Sequence, residues 1–290
     1  MSLKKEIGIY DPHAFTTRFM EPAVKHILKP DIGKFFVVKV EEMYRLVTHA
    51  VPASRSTTHS CLYLTEGEAV MKIGCETYTT HKDDILFVPA GQVFSFEPGH
   101  INKGYFCNFH PDILNGSHSK FEFLRVWGNP MIRLTEQTSE FVLHLFQRLL
   151  LDYTQNGDVI QPYLITLLSE VKLAYQPLSE GMDQPLINRF KELIFTNIKT
   201  LHHVSDYASL LNISPNHLNK TVKAITGKSP TKWIDEAIVL EAKVLLTQCD
   251  LTISEVASEV GLEDPSYFAR LFKKYENITP SDFRKMIEKS

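Results

Sequence analysis

Apolar residues fall in short runs over the first part of the chain and recur at spacings of three and four further on. Residues 34–109 hold six such runs: Phe35-Phe36-Val37-Val38-Lys39-Val40, Met43-Tyr44-Arg45-Leu46-Val47-Thr48, Cys61-Leu62-Tyr63-Leu64, Ala69-Val70-Met71-Lys72-Ile73, Ile85-Leu86-Phe87-Val88 and Gly104-Tyr105-Phe106-Cys107-Asn108-Phe109. Glu66-Gly67, Gly74, Lys82-Asp83-Asp84, Pro89-Ala90-Gly91 and Pro98-Gly99 punctuate them. Short β-branched or aromatic runs with such regular turn signals predict the strands of a barrel or sandwich.

Two amphipathic helices follow. Over 136–153, Phe141, Leu145, Phe146, Leu149 and Leu150 share a stripe; over 160–175, Ile160, Tyr163, Leu164, Leu167, Leu168 and Val171 do the same. Stripes of this kind belong to helices packed on a core. Two prolines and a glycine over 176–185 break the pattern and predict a linker. A further helix should then bury Leu186, Phe190, Leu193, Ile194 and Ile198. A long one over 231–248 should bury Trp233, Ile234, Ile238, Leu245 and Leu246. Its length of about 26 Å suits two DNA-reading elements about one helical turn of duplex apart.

The last hundred residues contain one pattern written twice. Ala208 falls on Ala257, Leu211 on Val260, Pro215 on Pro265, Leu218 on Phe268 and Lys220 on Arg270, and each copy closes alike, at Trp233 and at Phe283. Ser205 and Ser254 are expected to cap a first short helix. Asn212 and Gly261 end it with a left-handed backbone, and Ser214-Pro215 and Asp264-Pro265 start a second helix with a side-chain cap and a proline in the first turn. The result is a helix-turn-helix occurring twice, at about 204–225 and 253–275. Asn216, Asn219, Lys220, Ser266 and Arg270 occupy positions where a recognition helix meets base edges; Asn can pair with adenine, and Arg or Lys can bond the O6/N7 edge of guanine. Lys223, Lys228, Lys232, Lys273 and Lys274 are suited to phosphates.

Here the chain resembles the AraC/XylS-type bacterial transcription regulators. The second copy carries the most specific marks: Gly261, Asp264, Ser266-Tyr267-Phe268, Arg270, Phe272-Lys273-Lys274, Thr279-Pro280-Ser281 and Phe283-Arg284. It departs at Leu262, where the family usually has Phe, at Asn277, usually Gly, and at Ile238, often Arg; the last removes either an ion pair or a phosphate contact. The resemblance is strong over about 186–287 and weak before that. It implies a cupin-like N-terminal β-barrel with two helices over 1–175 for effector binding or dimerisation, a linker over 176–185, and an all-α DNA-binding domain over 186–290. It also implies that one of the two helices after the barrel forms a homodimer seam.

Charge changes the picture little. The chain carries 31 basic and 34 acidic residues, while residues 185–290 alone hold 14 basic and 13 acidic residues, about +1. That balance permits binding to double-stranded DNA when the charges share one face, with modest non-specific affinity. Cys61, Cys75, Cys107 and Cys249 have no zinc or redox spacing and read as reduced thiols of a cytoplasmic protein. No leader-like run opens the chain, and no segment is long and apolar enough to span a membrane.

Metal-dependent cupins need several His and a carboxylate converging in the barrel. Here His59 stands alone, and Phe94 occupies the place of a His ligand in the second cupin motif. His100, His110 and His118 lack ligand spacing. No metal, cofactor or catalytic residue is therefore expected. Most barrel aromatics should be core, with Arg45, His59, Tyr63 and Phe94 as the expected lining of an effector cavity, since such cavities are mostly apolar with few polar groups. Three functions follow in order: a DNA-binding transcription regulator modulated by a small-molecule effector, a metal-dependent cupin enzyme fused to a DNA-binding domain, and a regulator whose barrel only dimerises.

Overall fold

The structure, a computed structural model, describes residues 34–47, 50–97, 102–153, 155, 157–175 and 184–288. The chain divides into two compact units, one composed mainly of residues 55–178 and the other mainly of residues 179–290.

The first unit is built on two sheets. β1 (Phe35–Lys39), β8 (Lys103–Phe109), β3 (His59–Glu66), β6 (Asp84–Val88) and β9 (Met131–Arg133) form one in that spatial order, and β2 (Val51–Arg55), β7 (Val93–Phe96), β4 (Ala69–Ile73) and β5 (Glu76–Thr80) form the other. Five of the six expected runs are strands. The sixth, residues 43–48, is not: Val40–Leu46 is helix α1. Val40, Met43 and Val47 are buried, a spacing of three and four that favours a helix over a strand, and Glu41 and Glu42 lie in its first turn, where they offset the helix dipole. The chain thus leaves edge strand β1 as a helix, and among the described residues no ladder joins the two sheets into the expected closed barrel.

Strand alternation decides what each sheet face touches. Cys61 pairs with Cys107, and Tyr63 with Tyr105 and Ile85. These residues share one face of the sheet, and the helices α2 (Glu136–Tyr153) and α3 (Ile160–Ala174) follow it in the chain. The rings of Tyr63 and Tyr105 stack on Phe146 of α2 at 5.5 and 5.3 Å. Phe87 packs on Phe123 at 4.6 Å, and Phe123 on Tyr175 at 5.6 Å. Both helices bury the stripe read from sequence, except that Phe141 is exposed and Leu150 and Tyr163 are only partly buried.

The second unit is helical: α4 (Gln184–Asn197), α5 (Val204–Leu210), α6 (Pro215–Thr226), α7 (Pro230–Gln248), α8 (Ile253–Glu259), α9 (Pro265–Glu276) and α10 (Pro280–Glu288). The expected linker, 176–185, lies outside the described residues except for Gln184 and Pro185, which begin α4. In α4, Ile187 is buried and Leu186 only half-buried, a small rotation of the expected face. In α7 all five expected residues are buried, Ile238 among them, so that position serves packing here. Phe190 meets Tyr207 edge to face at 5.8 Å, and the chain Phe268, Phe272, Phe283 repeats that contact near the C-terminus.

Candidate nucleic-acid interface

Each helix-turn-helix is set by its caps and turn. The first helices begin earlier than expected: Ser205 and Ser254 are already helical, and the N-caps are His203 and Thr252. The reason is a residue three positions on. Glu255 accepts from the Thr252 N–H at 2.7 Å while Thr252 Oγ1 accepts from the Glu255 N–H at 3.2 Å, and Asp206 accepts from the His203 N–H at 3.1 Å. The turns are as read from sequence, with φ of 55° at Asn212 and 80° at Gly261. Ser214 Oγ then accepts from the His217 N–H at 3.2 Å, and an Asp264 oxygen from the Ser266 N–H at 2.8 Å, so both second helices start where expected.

Burial separates the two faces of those second helices. α6 buries Leu218, Thr221 and Val222, and α9 buries Phe268, Leu271 and Phe272. Asn216, Asn219, Lys220 and Lys223 lie exposed on α6; Ser266, Arg270, Lys273 and Lys274 lie exposed on α9. His217 and Tyr267, which the sequence reading did not select, are exposed as well and occupy equivalent places. The repeat itself signals them, since both immediately precede the buried residue, Leu218 or Phe268.

The polar groups are not equally free. Asn219 Nδ2 donates back to the Pro215 carbonyl at 3.0 Å, which leaves its second amide hydrogen and Oδ1 for an adenine edge. Lys274 Nζ is 3.3 Å from Asp235 Oδ2, which also accepts from the Tyr275 hydroxyl at 2.9 Å. Lys228 is only 28% exposed, 2.9 Å from Glu236 and 5.0 Å from the Trp233 ring centroid. Lys232 lies 3.8 Å from the same carboxylate. Surface ion pairs are worth about 0–1 kcal/mol, so Lys232 and Lys274 can trade theirs for phosphates, whereas half-buried Lys228 has more to lose. Lys220, Lys223 and Lys273 have no carboxylate partner among the described residues.

The two turns are tied to the rest of the domain differently. His202 Nε2 lies 3.0 Å from the Ile198 carbonyl and 3.1 Å from that of Val260, joining the end of α4 to the second turn. Trp233 Nε1 donates to Thr226 Oγ1 at 3.0 Å, joining α7 to the end of α6. With 19 residues, α7 is about 28 Å long.

Of the expected effector residues, Tyr63 and His59 lie on β3 and Phe94 on β7. Tyr63 is bound into the helix layer, its hydroxyl 2.7 Å from Ser139 Oγ, and burial pushes its phenol above the ordinary value. His59 is buried, its Nδ1 accepting from the Ala90 N–H at 2.9 Å and its ring 5.2 Å from Phe109. Phe94 pairs with Ile73 in the other sheet. The Arg45 side chain, like His100 and the side chain of His118, lies outside what is described. By strand alternation Tyr63 and His59 share one face of β3. Among the described residues no three His, Cys, Asp or Glu side chains group as metal ligands, and no helix is long and apolar enough to cross a membrane.

Fold and site define a class: a sheet-rich N-terminal unit followed by a helical unit with two helix-turn-helix motifs. A family described as a helix-turn-helix domain matches residues 207–286. The Msm operon regulatory protein of Streptococcus mutans is 30% identical over 125 residues, 43% of this chain and 45% of that protein. The chain thus matches less than half the length of that relative. The arabinose operon regulatory protein of Escherichia coli is 23% identical over 234 residues, 75% of this chain and 77% of that one. The crystal structure of unsaturated fatty acid bound ToxT from Vibrio cholerae is similar with a TM-score of 0.45 and 15% identity, covering 88% of this chain and 96% of that one. Residues 207–286 are thus similar to a helix-turn-helix family, and the chain is similar to operon regulatory proteins.

Proposed function

We propose that the protein is a sequence-specific, DNA-binding transcription regulator of the AraC/XylS type, acting on double-stranded DNA in the cytoplasm. One observation carries this reading. Two equivalent helices, α6 and α9, each turn a polar N-terminal half to solvent, with Asn216 and Lys220 on one and Ser266 and Arg270 on the other. These residue types pair with adenine and guanine edges in the major groove, while Lys223, Lys273 and Lys274 suit the phosphates alongside. Selection of duplexes from a random pool by the full chain tests it. An enriched motif bound in a salt-dependent manner supports the reading, and a pool that stays random overturns it.

We further propose that the N-terminal unit dimerises and takes up a small-molecule effector. Phe141 and Leu151 of α2 are 45% and 48% exposed, and with His144 and Arg148 they fall at spacings of three and four along one stripe. Such a stripe fits a second copy of the same helix. Sedimentation of Phe141→Glu against the wild type tests the seam. A thermal-shift screen with small metabolites separates an effector-binding unit from one that only dimerises.

A further inference from the structure

The two helix-turn-helix units differ at the start of the second helix. Ser214 caps α6 with a neutral hydroxyl, whereas Asp264 caps α9 with a carboxylate at the corresponding place. One Asp264 oxygen accepts from the Ser266 N–H at 2.8 Å, and the other lies 4.0 Å from Arg270 Nη2. Both side chains are open to solvent, Asp264 at 60% and Arg270 at 71%. Ser and Asp cap helices about equally well, so capping alone does not call for a charge here. Lys220, the counterpart of Arg270, has no carboxylate partner among the described residues.

We propose that Asp264 is a positioning residue for Arg270 and acts as the specificity filter of the second unit, an inference that rests on the DNA-binding function above. The carboxylate biases the guanidinium toward the N-terminal turn of α9, the end that enters the major groove. Held there, Arg270 meets the O6/N7 edge of guanine with both prongs of its fork. Released, it binds any phosphate within reach, and phosphate contacts carry no sequence information. Where no guanine engages Arg270, the Asp264 carboxylate also repels the phosphates near the helix end. An exposed pair at this separation is weak, so it steers Arg270 without locking it, and a base can displace it.

The test uses the full chain. Asp264→Asn keeps a capping oxygen and removes the charge; Asp264→Ser copies Ser214. Thermal melting of both should match the wild type. Affinities are measured for the selected duplex and for a scrambled one at two salt concentrations. Both variants should bind scrambled DNA more tightly, with a salt slope steeper by about one phosphate contact. The ratio of selected to scrambled affinity should fall about fivefold or more, the scale of one base contact. In an Arg270→Ala background, Asp264→Asn should leave the ratio unchanged, because the double-mutant cycle isolates the coupling. A selective wild type whose ratio survives Asp264→Asn overturns the proposal. So does a ratio that falls equally with and without Arg270. A wild type that prefers no sequence overturns the DNA-binding function itself, and the proposal with it.

Discussion

Gly261→Ala is expected to damage the second helix-turn-helix far more than its left-handed backbone alone would suggest. Gly261 has φ of 80°, and a β-carbon added there would lie 2.2 Å from the Lys199 carbonyl oxygen and 2.6 Å from the His202 ring. A left-handed conformation costs a non-glycine residue about 1–2 kcal/mol. Relieving the overlap adds about 1–3 kcal/mol, since the first obstacle is backbone rather than a flexible side-chain end. His202, whose Nε2 lies between the Ile198 and Val260 carbonyls at 3.0 and 3.1 Å, must shift and gives up about 0.5–1.5 kcal/mol of hydrogen bonding. The total is about 3–6 kcal/mol, against a typical domain stability of about 5–15 kcal/mol. Asn212→Ala is the control. Asn212 has φ of 55° and already carries a β-carbon, so it should lose only about 1 kcal/mol. Urea unfolding followed by helical circular dichroism gives the totals, and amide hydrogen exchange in α8 and α9 locates the loss. Equal costs for the two variants would refute the close approach of α4 to the second turn.

Other expectations follow from the same structure. Arg270→Ala should cost about 1–3 kcal/mol on the selected duplex and relax preference at one base pair. Lys220→Ala should cost less and lose part of its effect at high salt, as a phosphate contact does. Asn219→Ala should weaken discrimination for adenine. All three are read by titrating selected and scrambled DNA, and equal losses on both duplexes would mean that these side chains touch only the backbone. A fragment of residues 185–290 should fold alone and bind the selected duplex more weakly than the full chain, because dimerisation raises effective concentration; a folded fragment with equal affinity would count against the seam. Burial raises the Tyr207 phenol above its ordinary value. The group is then held neutral in the fold, so its stabilisation is intact below about pH 10 and lost as pH rises through the folded value. Tyr207→Phe should therefore flatten the alkaline fall in stability of the helical unit, measured by denaturation across that range.

Much of the helical unit was legible because its signals are local. Pro215 and Pro265, the capping Ser214 and Asp264, and the left-handed Asn212 and Gly261 each specify their own few residues. Serine taken alone points to a later start for the first helices, but Glu255 and Asp206 reach back three residues and set an earlier one. The β-branched and aromatic content of residues 43–48 signals a strand, whereas the spacing of Val40, Met43 and Val47 is that of a helix. Over so short a stretch, strand and helix patterns overlap.

By itself, the sequence determined the duplicated helix-turn-helix, the alternation of turns and strands before it, and the polar residue types carried on α6 and α9. Repeat alignment, periodicity and backbone preference are properties of neighbouring residues, and they survive in one dimension. Tertiary structure decided what those residues face. It set Tyr63 against Phe146 of α2 and His59 against Phe109, since the neighbours of β3 exist only once the strands pair. It folded Asn219 back on Pro215, placed Lys228 against Glu236 and Lys274 against Asp235, and left Lys220 and Lys273 without such partners among the described residues. It also brought Asp264 near Arg270 across a turn and a half of helix. Charge and type are written in the chain, but the availability of a charged group depends on which other groups the fold brings within about 4 Å.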